Sequence, residues 1–197
     1  MKSWGELEVP LAKRDQARNA FHMNLESVLG TLRPTKGLAE ARGNMIRSAW
    51  DRLSGLPGGG YLFSKFVGRA APYTGSIDAQ VVQLEDNYAK VVLQDRPAVR
   101  NHLRCVHAIA LANLAELCGN IAVAYTLPED ARFIVAGMSL EYLKKARGTL
   151  TAESRPNITK SSAKQEVEVL VEIRDQKGEV CTRATLRTLI GPKKASS

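Results

Sequence analysis

Histidine and cysteine are scarce, with three of each in 197 residues. There is no HExxH spacing and no CxxC pair, so the common ligand sets of a protein-bound metal are missing and no metal site is expected. The cysteines, Cys105, Cys118 and Cys181, are odd in number. Without a secretory leader they read as reduced thiols of a cytoplasmic protein. Cys105 and Cys118 sit among apolar residues and read as core filler. The chain also lacks a dense Lys/Arg run with interleaved aromatics, which removes the usual footprint of a nucleic-acid binder. The N-terminus carries Lys2, Glu6, Glu8, Lys13, Arg14 and Asp15 and no apolar core, so it does not read as a signal peptide. The one greasy stretch long enough for a membrane, residues 101–125, contains His107, Asn113, Glu116 and Asn120. A central acid alone costs about 2.5–3.5 kcal/mol in a bilayer, so no membrane span is expected.

What is present is enough for a core: 44% of residues are hydrophobic. The formal charge of +8 favours an anionic partner, such as a phosphorylated small molecule, or is simply a soluble surface. The length suits one domain with extensions. Residues 1–35 read as a loosely ordered N-terminal extension, with Met23 as an alternative start. Residues 36–69 read as a helical preface, 70–191 as the main domain and 192–197 as a tail.

Leu38, Ala41, Met45, Ile46, Ala49, Trp50 and Leu53 recur at steps of three and four, which predicts an amphipathic helix over 38–54. The PGGG at 57–60 should end it, with a second short helix over 61–69. Residues 75–86 and 88–96 are β-rich runs split by Asp86–Asn87, a hairpin pattern. The long apolar helix spans 106–125. Four strands follow, at 132–144, 148–155, 165–175 and 179–190. In 165–175, Val167, Val169, Val171 and Ile173 alternate with Glu166, Glu168 and Glu172, the signature of a half-buried strand. Short connections make these strands antiparallel. Only the apolar helix can cover their apolar face, so the expected class is α+β, a curled antiparallel sheet wrapped around one long central helix with N-terminal helices.

One acid, Glu116, interrupts that helix. Asn113, Glu116 and Asn120 share a side at steps of three and four. A solvated helix face would carry several charges, and this one carries a single charge. Composition alone still leans to a solvated face, and it is the added spacing of Asn101 and His107 that turns the reading to a functional acid.

The order of strand pair, buried helix and long antiparallel run is that of the hotdog fold. Asn101 is followed six residues on by His107 and nine further by Glu116. This spacing, with the text HAIALANLAE at 107–116, resembles thioesterases of the phenylacetic-acid-degradation (PaaI-like) type, in a poorly characterised thioesterase-like branch. MSLEYLKKARGTLTAE at 138–153 resembles the strand pattern that follows in that family. Ala108–Ile109 replaces the family's Gly-Gly, and no Ser or Thr stands in 132–137 to hold a water.

The resemblance implies an acyl-CoA thioesterase. Coenzyme A enters as part of the substrate and no separate cofactor is required. Two copies pair, as a dimer or a dimer of dimers, so that each site combines the helix end of one chain with the acid of the other. The implied catalytic set is Glu116 as base or nucleophile and the Ala108 amide as oxyanion donor. Asn101 donates to the carbonyl or stabilises its loop, His107 positions, and Asn120 holds a water or bonds across the dimer. Lys144, Lys145 and Arg147, with Arg155 nearby, would form a basic rim for the phosphates of coenzyme A. The rival is a non-catalytic hotdog domain that binds an acyl or lipid-like ligand. A dehydratase hotdog lacks support, since no His–Phe–Pro type motif is present.

Overall fold

The computed structural model describes residues 44–193. The expected extension at 1–35, the first turns of the 38–54 helix and residues 194–197 lie outside that range. Within it, the chain runs α1 (Met45–Leu53), α2 (Gly59–Ala70), a one-turn α3 (Pro72–Gly75), β1 (Gln80–Glu85), β2 (Tyr88–Leu93), a 3-10 turn (Pro97–Val99), α4 (Ala108–Thr126), β3 (Ala131–Tyr142), β4 (Leu150–Ser154), β5 (Gln165–Arg174) and β6 (Val180–Pro192).

All six strands form one antiparallel sheet in the order β1-β2-β4-β5-β6-β3. The helix α4 packs against every one of them. Six strands spaced about 4.8 Å apart are far wider than a helix of about 10 Å diameter, so a flat sheet could not do this. The sheet curls around α4, as its apolar face requires. Val169, Val171 and Ile173 of β5 point inward and are buried, while Glu166 and Glu168 face out. Gly119 sits at the closest approach: a Cβ there would meet Leu186 and Val169 at 3.2 Å. The β1–β2 hairpin turns at Asp86–Asn87, with Asn87 in the left-handed region at φ 56°.

The glycine run behaves differently from the expectation. The first helix stops at Leu53, and Gly59–Gly60 open the second helix rather than ending the first. Gly58 is left-handed at φ 74°. A Cβ at Gly59 would lie 1.7 Å from the Leu53 carbonyl oxygen, and one at Gly60 would lie 2.8 Å from that of Val81. The glycines let two helices and a strand meet.

The N-terminal helices dock onto α4. Trp50 packs edge-on against Phe63 with ring centres 5.0 Å apart. Asn44 caps α1 by accepting from the Arg47 amide at 2.9 Å. Its Nδ2 also donates to the carbonyls of Ala124 (2.7 Å) and Leu127 (2.8 Å) at the C-terminal end of α4. Arg47 donates from Nε to the Tyr125 carbonyl at 2.8 Å and from Nη2 to that of Thr126 at 3.0 Å. These are carbonyls that a helix cannot satisfy within itself. By length and hydropathy α4 could cross a bilayer, and 61% of its most apolar window is buried inside the fold.

Candidate active site

The site is built from the N-terminal end of α4 and the face that follows it. The chain reaches this end through a tight loop. The Asn101 amide donates to the Cys105 carbonyl, and Arg104 is left-handed at φ 53°. The Asn101 Oδ1 accepts from the amides of Leu103 (2.9 Å) and Cys105 (3.4 Å), an Asx turn that holds the strained loop. The side-chain oxygen of Asn101 therefore serves the loop.

His107 is the N-cap of α4. Its Nδ1 accepts from the Ile109 amide at 3.1 Å, and the ring is exposed. That geometry requires an unprotonated Nδ1. The next amide, Ala108 N–H, has no acceptor among the described residues. It stands at the positive end of a 19-residue helix. The Ala108 carbonyl accepts from the Tyr142 hydroxyl at 3.3 Å, which ties the helix start to the end of β3.

Two further contacts fix this end. The Val106 amide donates to the Ala146 carbonyl at 2.9 Å, and the His107 amide to that of Val99 at 2.8 Å. Asp95 links the same segments: its carboxylate accepts from Arg100 Nε at 2.6 Å and from the Gly148 amide at 2.9 Å. The Arg100 hydrogen bond, partly opposed by burial, holds the Asp95 carboxyl below its ordinary value. The segment 144–148 is thus pinned beside the helix start. Lys145 and Arg147 are exposed there. Lys144 is engaged otherwise, bridging Asp175 (2.6 Å) and Glu179 at the β5–β6 turn. Arg155 is farther round the sheet, stacked 4.1 Å over the Tyr88 ring.

Glu116 is partly buried. It belongs to a stripe of α4 that nothing among the described residues covers fully: Ile109 is 54% exposed, and Ala112, Glu116 and Asn120 are partly exposed. Leu114, Ala115, Cys118 and Ala122, facing the sheet, are essentially inaccessible. Glu116 lies eight residues past Ala108, about 12 Å along the axis. One chain therefore does not bring that amide and that acid to a single carbonyl. Along the sheet margin β3 is an edge strand, and its end leaves Tyr142 and the following Leu143 about half exposed.

Two asparagines flank the acid. Asn113 is buried and donates through Nδ2 to the Tyr73 carbonyl at 3.0 Å. Its Oδ1 and that of Asn120 are buried without a partner. Sequence reasoning put Asn113 on the side of Glu116 and Asn120 but did not find Tyr73, Tyr142 or Asp95. Their contacts span 34 to 53 positions in sequence, and no local pattern carries such a signal. All three cysteines are buried free thiols, and burial pushes the Cys118 thiol well above its usual range.

Comparison with solved structures places this arrangement among known proteins. A crystallised structural-genomics protein is 30% identical, with 75% of this chain and 98% of the other covered and a TM-score of 0.66. A Pseudomonas aeruginosa protein, described as a probable thioesterase, is 19% identical over 70% of this chain and 97% of its own, with a TM-score of 0.60. A Haemophilus influenzae thioesterase is 13% identical over 66% and 92%, with a TM-score of 0.58. A search of the curated proteins finds no match. The family model described as Domain of unknown function DUF4442 matches residues 59–190. The curled sheet, the single wrapped helix and these matches lead to one assignment: the chain has the hotdog fold and belongs to the DUF4442 family.

Proposed function

We propose that the protein is a thioester hydrolase acting on an acyl-CoA, with each active site assembled from two copies of the chain. The observation that carries this reading is the separation, on one helix, of an unsatisfied N-terminal amide and a lone acid. Ala108 N–H has no acceptor among the described residues, and Glu116 stands about 12 Å farther along. Two α4 helices running antiparallel, side by side along their open stripes, bring the amide of one chain to the acid of its partner. The exposed Ile109 and the unpaired β3 edge suit burial against a second copy.

In that site Glu116 takes a proton from a water whose oxygen adds to the thioester carbonyl carbon, or its carboxylate attacks that carbon directly. Charge gathers on the carbonyl oxygen, where the Ala108 amide donates; one such donor contributes about 3 kcal/mol to lowering the barrier. The C–S bond then breaks, and the thiolate leaves without a strong acid to protonate it. His107 sets the helix start and leaves the Ala108 amide available. Lys145 and Arg147, beside the helix start, suit the phosphates of coenzyme A. The three reduced thiols fit a cytoplasmic setting.

One observation favours a second reading, a hotdog domain that binds an acyl ligand without turning it over. The family's Gly-Gly is replaced by Ala108–Ile109, and the Ile109 side chain stands out at the helix start. The experiment is a panel of acyl-CoAs with thiol detection, run on wild type and Glu116→Ala, alongside sedimentation to establish assembly. Turnover that disappears in the variant while the assembly persists is the expected result. Wild-type turnover in Glu116→Ala removes the acid from the mechanism, and ligand binding without any hydrolysis favours the second reading.

A further inference from the structure

The N-terminal helices add a second wall beside α4, and a cavity of about 240 Å³ lies between them. Ile46 of α1, Val67 of α2, Leu117 and Ile121 of α4, Leu127 just after α4, and Phe133 of β3 line it. Burial pulls the pKa of Lys193, at the cavity margin, below the ordinary lysine value, against Glu129 and Asp130, which raise it. Asn120 also lines the cavity, and its side-chain oxygen is buried with no hydrogen-bond partner. An orphaned acceptor in an apolar wall is costly, and in a folded protein it calls for a donor beyond the described residues.

The position of Asn120 connects this space to the acid. It lies one helical turn past Glu116, about 6 Å along the axis, where the open stripe of α4 turns into the cavity wall. A chain whose carbonyl is held at Glu116 passes Asn120 as it enters the space beneath α1. An apolar cavity of ~150 Å³ holds the six carbons of benzene, so this one holds roughly eight to ten aliphatic carbons.

We propose that this cavity is the acyl subsite of the thioesterase reading given above, on which the assignment rests. It takes an unbranched tail of roughly eight to ten carbons, and Asn120 accepts a hydrogen bond from a hydroxyl carried near the thioester end. Ala71 and Ala124 line the cavity with small side chains, so larger residues there would fill part of it.

The test separates binding from turnover. Saturated fatty acids of graded length and 3-hydroxydecanoate are titrated into the full-length protein by calorimetry, and the matching acyl-CoAs are assayed for hydrolysis. Wild type is expected to bind with an optimum at medium length and to favour 3-hydroxydecanoate over decanoate about tenfold, as one added hydrogen bond allows. Ala124→Leu and Ala71→Leu should each shorten the optimum by about two to four carbons, by filling the space. Asn120→Leu should abolish the hydroxyl preference and leave the length optimum in place. If the acids bind in this pattern but no acyl-CoA is hydrolysed, the subsite stands and the thioesterase reading falls. Hydrolysis that is indifferent to chain length in wild type and in both alanine variants overturns the subsite and leaves the thioesterase reading intact. An equal affinity for decanoate and 3-hydroxydecanoate in wild type overturns the role of Asn120.

Discussion

The two ends of α4 are finished in opposite ways. At the C-terminal end, Asn44 and Arg47 reach across from α1 and donate to four successive carbonyls, those of Ala124, Tyr125, Thr126 and Leu127. At the N-terminal end the His107 ring accepts from one amide, and Ala108 N–H is left without an acceptor among the described residues. Both ends begin with the same deficit of hydrogen-bond partners. One is closed by charged and amide side chains from elsewhere in the chain, and the other is held in place from outside by Val99, Ala146 and Tyr142 while its amide stays open. A helix end that is rigid but unsatisfied is the arrangement a transition-state anion needs. The closed end contributes to stability, and in the function proposed above the open end receives the substrate carbonyl.

Substitutions can break this contrast. Glu116→Ala is expected to have the largest effect, a fall in kcat of about a hundredfold or more with the thermal midpoint nearly unchanged, measured by thiol release and calorimetry. Arg47→Ala should do the reverse. Losing charge-assisted bonds to two or more carbonyls lowers unfolding free energy by about 2–3 kcal/mol in urea titrations, with kcat per folded molecule retained. His107→Ala removes a cap and should cost about 1 kcal/mol or less. His107→Asp, a stronger cap, should recover that stability yet slow turnover, because its carboxylate competes for the amides an oxyanion needs.

The smallest effect concerns pH. The folded-state pKa of Asp95 is depressed, chiefly by its hydrogen bond to Arg100. A depressed carboxyl contributes stability above its unfolded value of about 3.9 and loses it as pH falls through the lower folded value. Wild type should therefore exceed Asp95→Asn in stability above about pH 4, and the difference should shrink in more acidic solution. A constant difference down to pH 2 would detach Asp95 from the loop it is argued to hold.

Much of this architecture is written in local pattern. The Val/Glu alternation of 165–175, the Asp86–Asn87 turn and the unbroken apolarity of α4 each encode an element through its neighbours in sequence. Glu116 is legible for the same reason, as a lone charge in a greasy helix. The PGGG run misleads, because glycine there answers to the Leu53 and Val81 carbonyls crossing it rather than to its own segment. Asn101 takes the loop-stabilising alternative, accepting from the amides of Leu103 and Cys105, whereas Lys144 pairs with Asp175 and Glu179, partners its position in the sequence does not announce.

Sequence alone determined the elements, their antiparallel pairing and the presence of an acid on the buried helix, because periodicity and turn chemistry act between residues a few positions apart. Only the tertiary structure decided which end of α4 is closed, where the cavity opens beside Asn120 and how Asp95 and Tyr142 secure the helix start. Those features arise where segments distant in the chain meet, and a contact of that kind leaves no periodic trace in either partner.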